Sequence, residues 1–438
     1  MLTKDVLTYI ISFLTRDENV VDRVGYTDDV SEFHRYSVVI IPSGFFREDV
    51  YATERTIPSL PLSDIQSIPL LFGTPHTEWV GDTLVTHADI IASTFFLVTR
   101  YEECVNQRRD VHQRFSAQHS FLKQAGLLLR PLVDEYACVL RGWLRETGMA
   151  VKEESNAFSA IYLTHDVDCL DYYHSLRGTL GGIKRVLLKE TDERWLDIRR
   201  SWSNIELDPA YEFPWMAQQN ALLPKARVVY FMKAVGRYHR YDRPLYDLQS
   251  QKFRRFYRFC QESGAEMGLH CSYLSGERPA LLYEEKQRLE QALHISITQT
   301  RYHYLRSCSY RDMQVLNDMG VKHDFTMAFA DEVGFRLGTT RPVRWINPET
   351  MQLTSLVLHP LTLMECTLME SRYMSLSYTQ ALHVACQLIN QVYKHAGELV
   401  LLFHNTSFAG PLAEDYRALY THLLQYVQEL LHDSKAID

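Results

Sequence analysis

Several features are missing from this sequence, and each absence removes a class of function. The eight cysteines form no CxxC pair and are scattered from Cys104 to Cys386. The chain is too long and core-rich to need staples, so they read as reduced thiols in a cytoplasmic protein. There is no Lys/Arg block, and the formal net charge is −8. That excludes a general nucleic-acid binder and argues against broad affinity for anionic membrane surfaces. No run approaches the roughly eighteen apolar residues a membrane helix needs. The N-terminal MLTKDVLTYIISFL is interrupted by Lys4 and Asp5, with no small-residue cleavage site after it, and reads as a secondary-structure start rather than a signal peptide. Internal repeats, low-complexity stretches and Pro/Gly-rich linkers are also lacking.

What is present is an ordinary globular composition, 46% hydrophobic and 23% charged over 438 residues. That length favours two or three domains. In residues 1–150, YSVVIIPS and IPLLFG read as strands. ADIIASTFFLVTRYEECV and the stretch from Pro131 to Arg145 read as helices. Polar VKEESNAF separates this smaller α/β or α+β N-terminal domain (1–150) from the remainder (151–438). Beyond it strands alternate with helices: AIYLTH, a helical insertion at about 170–220, ARVVYFM, a helix closing at Gly264, EMGLH, and later HDFTMA, SLVLHPL and ELVLLFHN. That alternation predicts a parallel α/β architecture, and about seven strands fit a distorted β/α barrel, closed or incomplete, better than an open sheet.

Several of these strands end in ionisable residues. AIYLT runs into His165, Asp166 and Asp168; EMGL into His270; ELVLLF into His404; and RYHYLR brings Arg301, His303 and Arg306. Asp166 and Asp168 leave the same face of a strand, because side chains alternate with period two. Alone, such a pair is equally a helix cap or a site. In a β/α barrel, however, the C-terminal strand ends share one face, where active sites lie. Asp and His donors suit a zinc-like divalent metal with an open position. A second carboxylate could serve as base, a histidine as acid, and an arginine could hold the base ionised. This is equipment for hydrolysing an amide or ester.

The order THDVD, GLHCSY, RYHYLR and LLFH resembles the polysaccharide deacetylase superfamily over residues 155–410. Residues 1–150 and the stretch DFTMAFADEVGFRLGTTRP look like one bacterial branch that carries an N-terminal accessory domain of unknown function. The resemblance implies a distorted, often incomplete β/α barrel that removes N- or O-acetyl groups from sugars with a divalent metal, zinc foremost. It implies Asp166 as base, Asp168 and His270 as metal ligands, Arg301 as the residue orienting the base, and His404 as acid. Tyr273, Tyr304 and Trp345 would line the substrate cleft. The family's second metal histidine falls on Leu274, which cannot bind metal. His303, where the family has proline, is the candidate third ligand, with a simple cleft hydrogen bond as its alternative. Expected partners are a carbohydrate substrate, nucleotide- or lipid-linked if cytoplasmic, with no nucleic acid and no membrane span. Two other functions stay open: metal-independent hydrolysis of another C–N bond, and a non-catalytic glycan-binding module.

Overall fold

The computed structural model describes residues 2–152, 154–174, 176–188 and 195–433. The chain divides into two compact units. The first comprises Met1–Phe158, Ser307–Thr362 and Gln391–Glu398, and the second Ser159–Arg306, Leu363–Asn390 and Leu399–Asp438.

In the first unit, helix Lys4–Thr15 begins at Thr3, whose hydroxyl accepts from the Val6 N–H. It buries Val6, Ile10, Ile11 and Leu14, a helical stripe, against helix Leu132–Glu146. Beside them lies a four-stranded sheet in the order Val24–Tyr26, Val38–Ile40, Thr83–Ala88, Gly73–Val80. Its first three strands are parallel and the last is antiparallel. The helix expected across 88–105 is instead two, Ile90–Val98 and Glu102–Val105. Arg100 breaks it by taking a left-handed φ of 59°. Its guanidinium, buried, turns back onto Glu103 through bonds of 2.9 and 2.6 Å. Such a paired, buried charge outweighs the modest cost of a non-glycine left-handed residue.

Ser307–Thr362 belongs to this first unit for an electrostatic reason. The buried Asp134 carboxylate accepts from Thr339 Oγ1 at 2.9 Å, Thr340 N at 2.7 Å and Arg341 Nε at 2.7 Å. Arg336 likewise reaches Glu103 at 2.6 Å. Buried carboxylates demand such partners wherever in sequence they come from. The expected strands HDFTMA and SLVLHPL are present here as His323–Met327 and Gln352–Pro360. The two compact units therefore interleave along the chain, with Ser307–Thr362 and Gln391–Glu398 returning to the first.

The second unit is an incomplete parallel β/α barrel. Its strands run in the order Gln299–Tyr302, Glu266–Cys271, Arg227–Lys233, Ala160–Val167, Glu398–Leu402, Leu363–Met364. The central pairings are parallel, as is that of the last two strands. Continuous apolar runs such as LVLL are what strands covered on both faces require. Helix Gln251–Glu262, capped by Ser250, covers this sheet with Phe253, Phe256 and Cys260. Gly264 follows it at φ 70°, as expected for a helix stop. Gly268 has a packing reason: a Cβ there would stand 2.5 Å from the Phe231 ring. That ring in turn lies under the Arg301 guanidinium, 4.5 Å away. The insertion expected at 170–220 contains helices Leu176–Leu187, Trp195–Ser203 and Phe213–Asn220. Its positions 175 and 189–194 lie outside the described residues.

Candidate active site

Six of the residues singled out from sequence converge at the C-terminal ends of the second unit's strands. Asp166 is buried near the end of Ala160–Val167. It accepts from Arg301 Nη1 at 3.0 Å, while His270 Nε2 and His404 Nε2 stand 3.5 and 3.8 Å from its other oxygen. Burial opposes its ionisation, but His270, Arg301 and His404 together hold the carboxyl below its ordinary range. Asp168, two residues on and partly exposed, faces a second set. His303 Nε2 lies 3.4 Å, Lys233 Nζ 3.5 Å and His270 Nε2 3.8 Å from its Oδ1. Against burial, Lys233 and His303 keep this carboxyl well below its usual range. His165, on the opposite face of the same strand, is fully buried. Its Nδ1 bonds the Phe403 carbonyl at 2.9 Å and its ring packs on Tyr230. It is a core histidine.

The three site histidines share one device. His270 Nδ1 meets the Arg301 carbonyl at 3.1 Å, His303 Nδ1 meets Asp242 Oδ1 at 3.0 Å, and His404 Nδ1 meets Glu365 Oε1 at 2.8 Å. A carbonyl or carboxylate oxygen accepts only, so each Nδ1 carries a proton. Every ring therefore turns Nε2 inward, with a lone pair free when the ring is neutral. Burial drops His270 to about 4, so it is neutral. His404 behaves oppositely: burial opposes its charge, yet Glu365 and Cys366 raise it well above the ordinary histidine value. Glu365 is fully buried and also accepts from Ser407 at 2.6 Å.

A divalent cation fits one corner of this arrangement. Donor atoms of Asp168, His270 and His303 lie within 4.8 Å of one another. Asp168 Oδ1 and His270 Nε2 are buried without a hydrogen-bond partner, a state that costs free energy unless something binds there. Two imidazoles and a carboxylate are a zinc-like donor set that leaves a position open. Asp242 behind His303 is the carboxylate–histidine support that such ligands usually have.

A cavity of about 680 Å³ opens onto Asp168, His303 and His404. Tyr304, Tyr241 and Arg372 form part of its wall. Two expected cleft residues are elsewhere. Tyr273 is buried among His239, Tyr241 and Arg306, and its N–H supports Asp242 at 2.7 Å. Trp345 belongs to the first unit and is fully buried, so it presents no face to a ligand. Sequence reasoning missed Glu365, Asp242 and Lys233. Lys233 and Glu365 did carry a signal, since each stands at or just after the C-terminal end of a strand. Asp242 sits in the loop YDRP and carried none.

Residues 1–149 match the model of a family of unknown function, DUF7033. No curated protein matches the chain. Among solved structures, it is similar to a protein provisionally described as a polysaccharide deacetylase from Mycobacterium smegmatis. That match has 12% identity and a TM-score of 0.39, covering 65% of this chain and 94% of the other. It is also similar to two mutants of a CE4 family pseudoenzyme. One has restored enzymatic activity (11% identity, TM-score 0.28, 62% of this chain and 66% of that one). The second matches with 11% identity, a TM-score of 0.27, and 63% and 67% coverage.

Proposed function

We propose that the second unit is a hydrolase that removes an acetyl group from an N- or O-acetylated sugar or glycan precursor. In this reading Asp168, His270 and His303 hold a divalent cation, with zinc favoured by the donor set. The observation that carries it is the division of the site into two oppositely prepared halves. Asp166 is held ionised by Arg301 and by the protonated His404, and His404 is held protonated by Glu365, with Asp166 and His404 3.8 Å apart. Environments that push neighbouring groups apart in this way define a base and an acid. The chemistry a bound divalent cation supplies is polarisation of the acetyl carbonyl and acidification of water. Asp166 takes the proton from the attacking water. Arg301 keeps that carboxylate oriented and charged. His404 gives its Nε2 proton to the departing nitrogen or oxygen, and Glu365 stabilises the imidazolium until then. Tyr241 and Tyr304 offer aromatic faces suited to a sugar ring. The eight free cysteines accord with work in a reducing compartment.

Lys233 favours a second reading. Its buried ammonium, 3.5 Å from Asp168, also bonds the Asp242 and Pro244 carbonyls at 3.0 and 3.3 Å. A fixed cation there could serve a metal-independent C–N hydrolase. Acetate release from a panel of acetylated sugars, with added zinc or cobalt and after chelation, separates the two. The first reading expects metal-dependent release that Asp166→Asn lowers at least about a thousandfold, a loss typical of removing both charge and base. Release that survives chelation supports the second reading. Turnover unchanged in Asp166→Asn overturns the base assignment in both.

A further inference from the structure

The helical insertion presents a surface that the catalytic reading does not use. Seventeen large hydrophobic side chains are exposed among the described residues, and seven of them fall between Leu180 and Leu207. On helix Leu176–Leu187 and the residue after it, Leu180, Lys184, Leu187 and Leu188 fall on one exposed arc. The opposite side is packed: a Cβ on Gly182 would meet the Tyr173 ring at 2.4 Å and Ile198 at 3.1 Å. On helix Trp195–Ser203, Ile198 and Ser201 are buried, while Trp195, Leu196, Arg199, Arg200 and Trp202 are exposed. Helices Leu176–Leu187 and Trp195–Ser203 together carry five Lys and Arg against one Asp, although the whole chain carries −8. Exposed Leu and Trp interleaved with basic residues on short amphipathic helices are the pattern of helices that lie in a bilayer interface. Apolar side chains at least half exposed and clustered in this way are costly without a cover.

We infer that this insertion docks the second unit on an anionic lipid bilayer, its Leu and Trp side chains entering the interface and its basic residues meeting lipid phosphates. The position matters to the site. Gly178, Gly181 and Lys184 border a cavity of about 630 Å³ that shares Tyr172 with the cavity over Asp168 and His404. On the deacetylase reading, on which this one extension rests, the substrate class becomes a lipid-linked acetylated sugar. The docking itself is tested without any substrate.

The test is co-sedimentation of the full chain with vesicles of phosphatidylcholine alone and with about one-third phosphatidylglycerol. Binding to the anionic vesicles is expected to exceed that to neutral ones, since each basic residue near an anionic surface gives on the order of fivefold. Burying one leucine side chain is on the order of tenfold in partitioning. Leu187→Ser with Trp195→Ser, both exposed, is therefore expected to weaken binding at least about tenfold with unchanged circular dichroism. Lys184→Glu with Arg199→Glu is expected to erase the preference for anionic lipid. A wild type that ignores anionic vesicles overturns the inference, as does binding that the Leu187/Trp195 variant leaves intact. A concentration-dependent dimer abolished by that variant, with no vesicle binding, reassigns the patch to self-association and also overturns it.

Discussion

Replacing Glu365 by Gln isolates the electrostatics of the acid half of the site. The two side chains share a shape, and the Gln carbonyl still accepts from His404 Nδ1, so the tautomer is retained and only the charge is lost. The 2.8 Å separation between Nδ1 and Oε1 sets a Coulomb ceiling of about 6 kcal/mol at an effective dielectric near 20. The net value is smaller, because the same oxygen also accepts from the His404 N–H at 2.8 Å and from Ser407. A charge-assisted hydrogen bond contributes about 1.5–3 kcal/mol, which is about 1–2 pKa units. The variant is thus expected to titrate His404 about 1–2 units lower than the wild type, measured by NMR of its imidazole. Any acetyl-hydrolase activity is expected to lose its alkaline limb by the same amount.

Stability follows with a defined sign. The folded pKa of His404 is raised, so its share is complete below the ordinary histidine value near 6.5 and is lost as pH rises through the raised one. The folded pKa of Glu365 is lowered: burial opposes the charge but His404 overcomes it. Its share is present above about 4.5 and is lost as pH falls through the lowered value. Between about pH 4.5 and 6.5 both are in force, and about 2 kcal/mol there corresponds to roughly 4–8 °C in Tm. The deficit of Glu365→Gln is expected to be largest in that window and to shrink towards high pH. An unchanged His404 titration, or a deficit that grows with pH, would refute the pairing as the source of the acid.

Metal content offers a check independent of turnover. His303→Ala is expected to abolish stoichiometric zinc binding by calorimetry, and Asp242→Asn to weaken it about 10–100-fold through loss of the carboxylate behind the ligand; unchanged affinity in both removes His303 from the ligand set. In the first unit, Asp134→Ala strips the partner from buried Arg341. It is expected to cost about 3–5 kcal/mol in urea unfolding; a cost under about 1 kcal/mol would mean that Ser307–Thr362 is held to residues 1–158 by packing alone.

What the sequence revealed depended on whether a residue's role was local. Four of the barrel strands, Ala160–Val167, Arg227–Lys233, Glu266–Cys271 and Glu398–Leu402, were legible as apolar runs ending at or near an ionisable residue, a pattern that burial on both faces imposes, whereas Gln299–Tyr302 and Leu363–Met364 were not. Asp166, Asp168, His270 and His404 were legible for the same reason. Arg301 and His303 stood out only as ionisable residues of RYHYLR, and their roles needed the family resemblance, since that segment has no periodicity of its own. The return of Ser307–Thr362 to the first unit was not legible. It depends on Asp134 and Glu103 finding Thr340, Arg341 and Arg336 about two hundred residues away, and no local pattern records a distant partner. Trp345 failed as a cleft residue because an aromatic on a strand is equally suited to a core.

Leu274 stands where the resemblance puts a second metal histidine. A ligand pair four residues apart presumes that both come from one turn after the strand Glu266–Cys271. In the proposed ligand set the second histidine comes from the next strand instead. Thr300 and Arg301 lie in register beside Leu269 and His270, so the chain leaving Tyr302 starts next to His270. Left-handed backbone at Tyr304 and Leu305, φ 62° and 50°, turns it there, and the His303 and His270 rings come within 4.9 Å. Strand pairing thus does what a short motif would otherwise do. Asp242, from the loop after Arg227–Lys233, then fixes the ring that this pairing delivers. A site assembled across three parallel strands asks of each loop only one correctly placed group, and for that reason the loss of one motif position is weak evidence of a lost metal site.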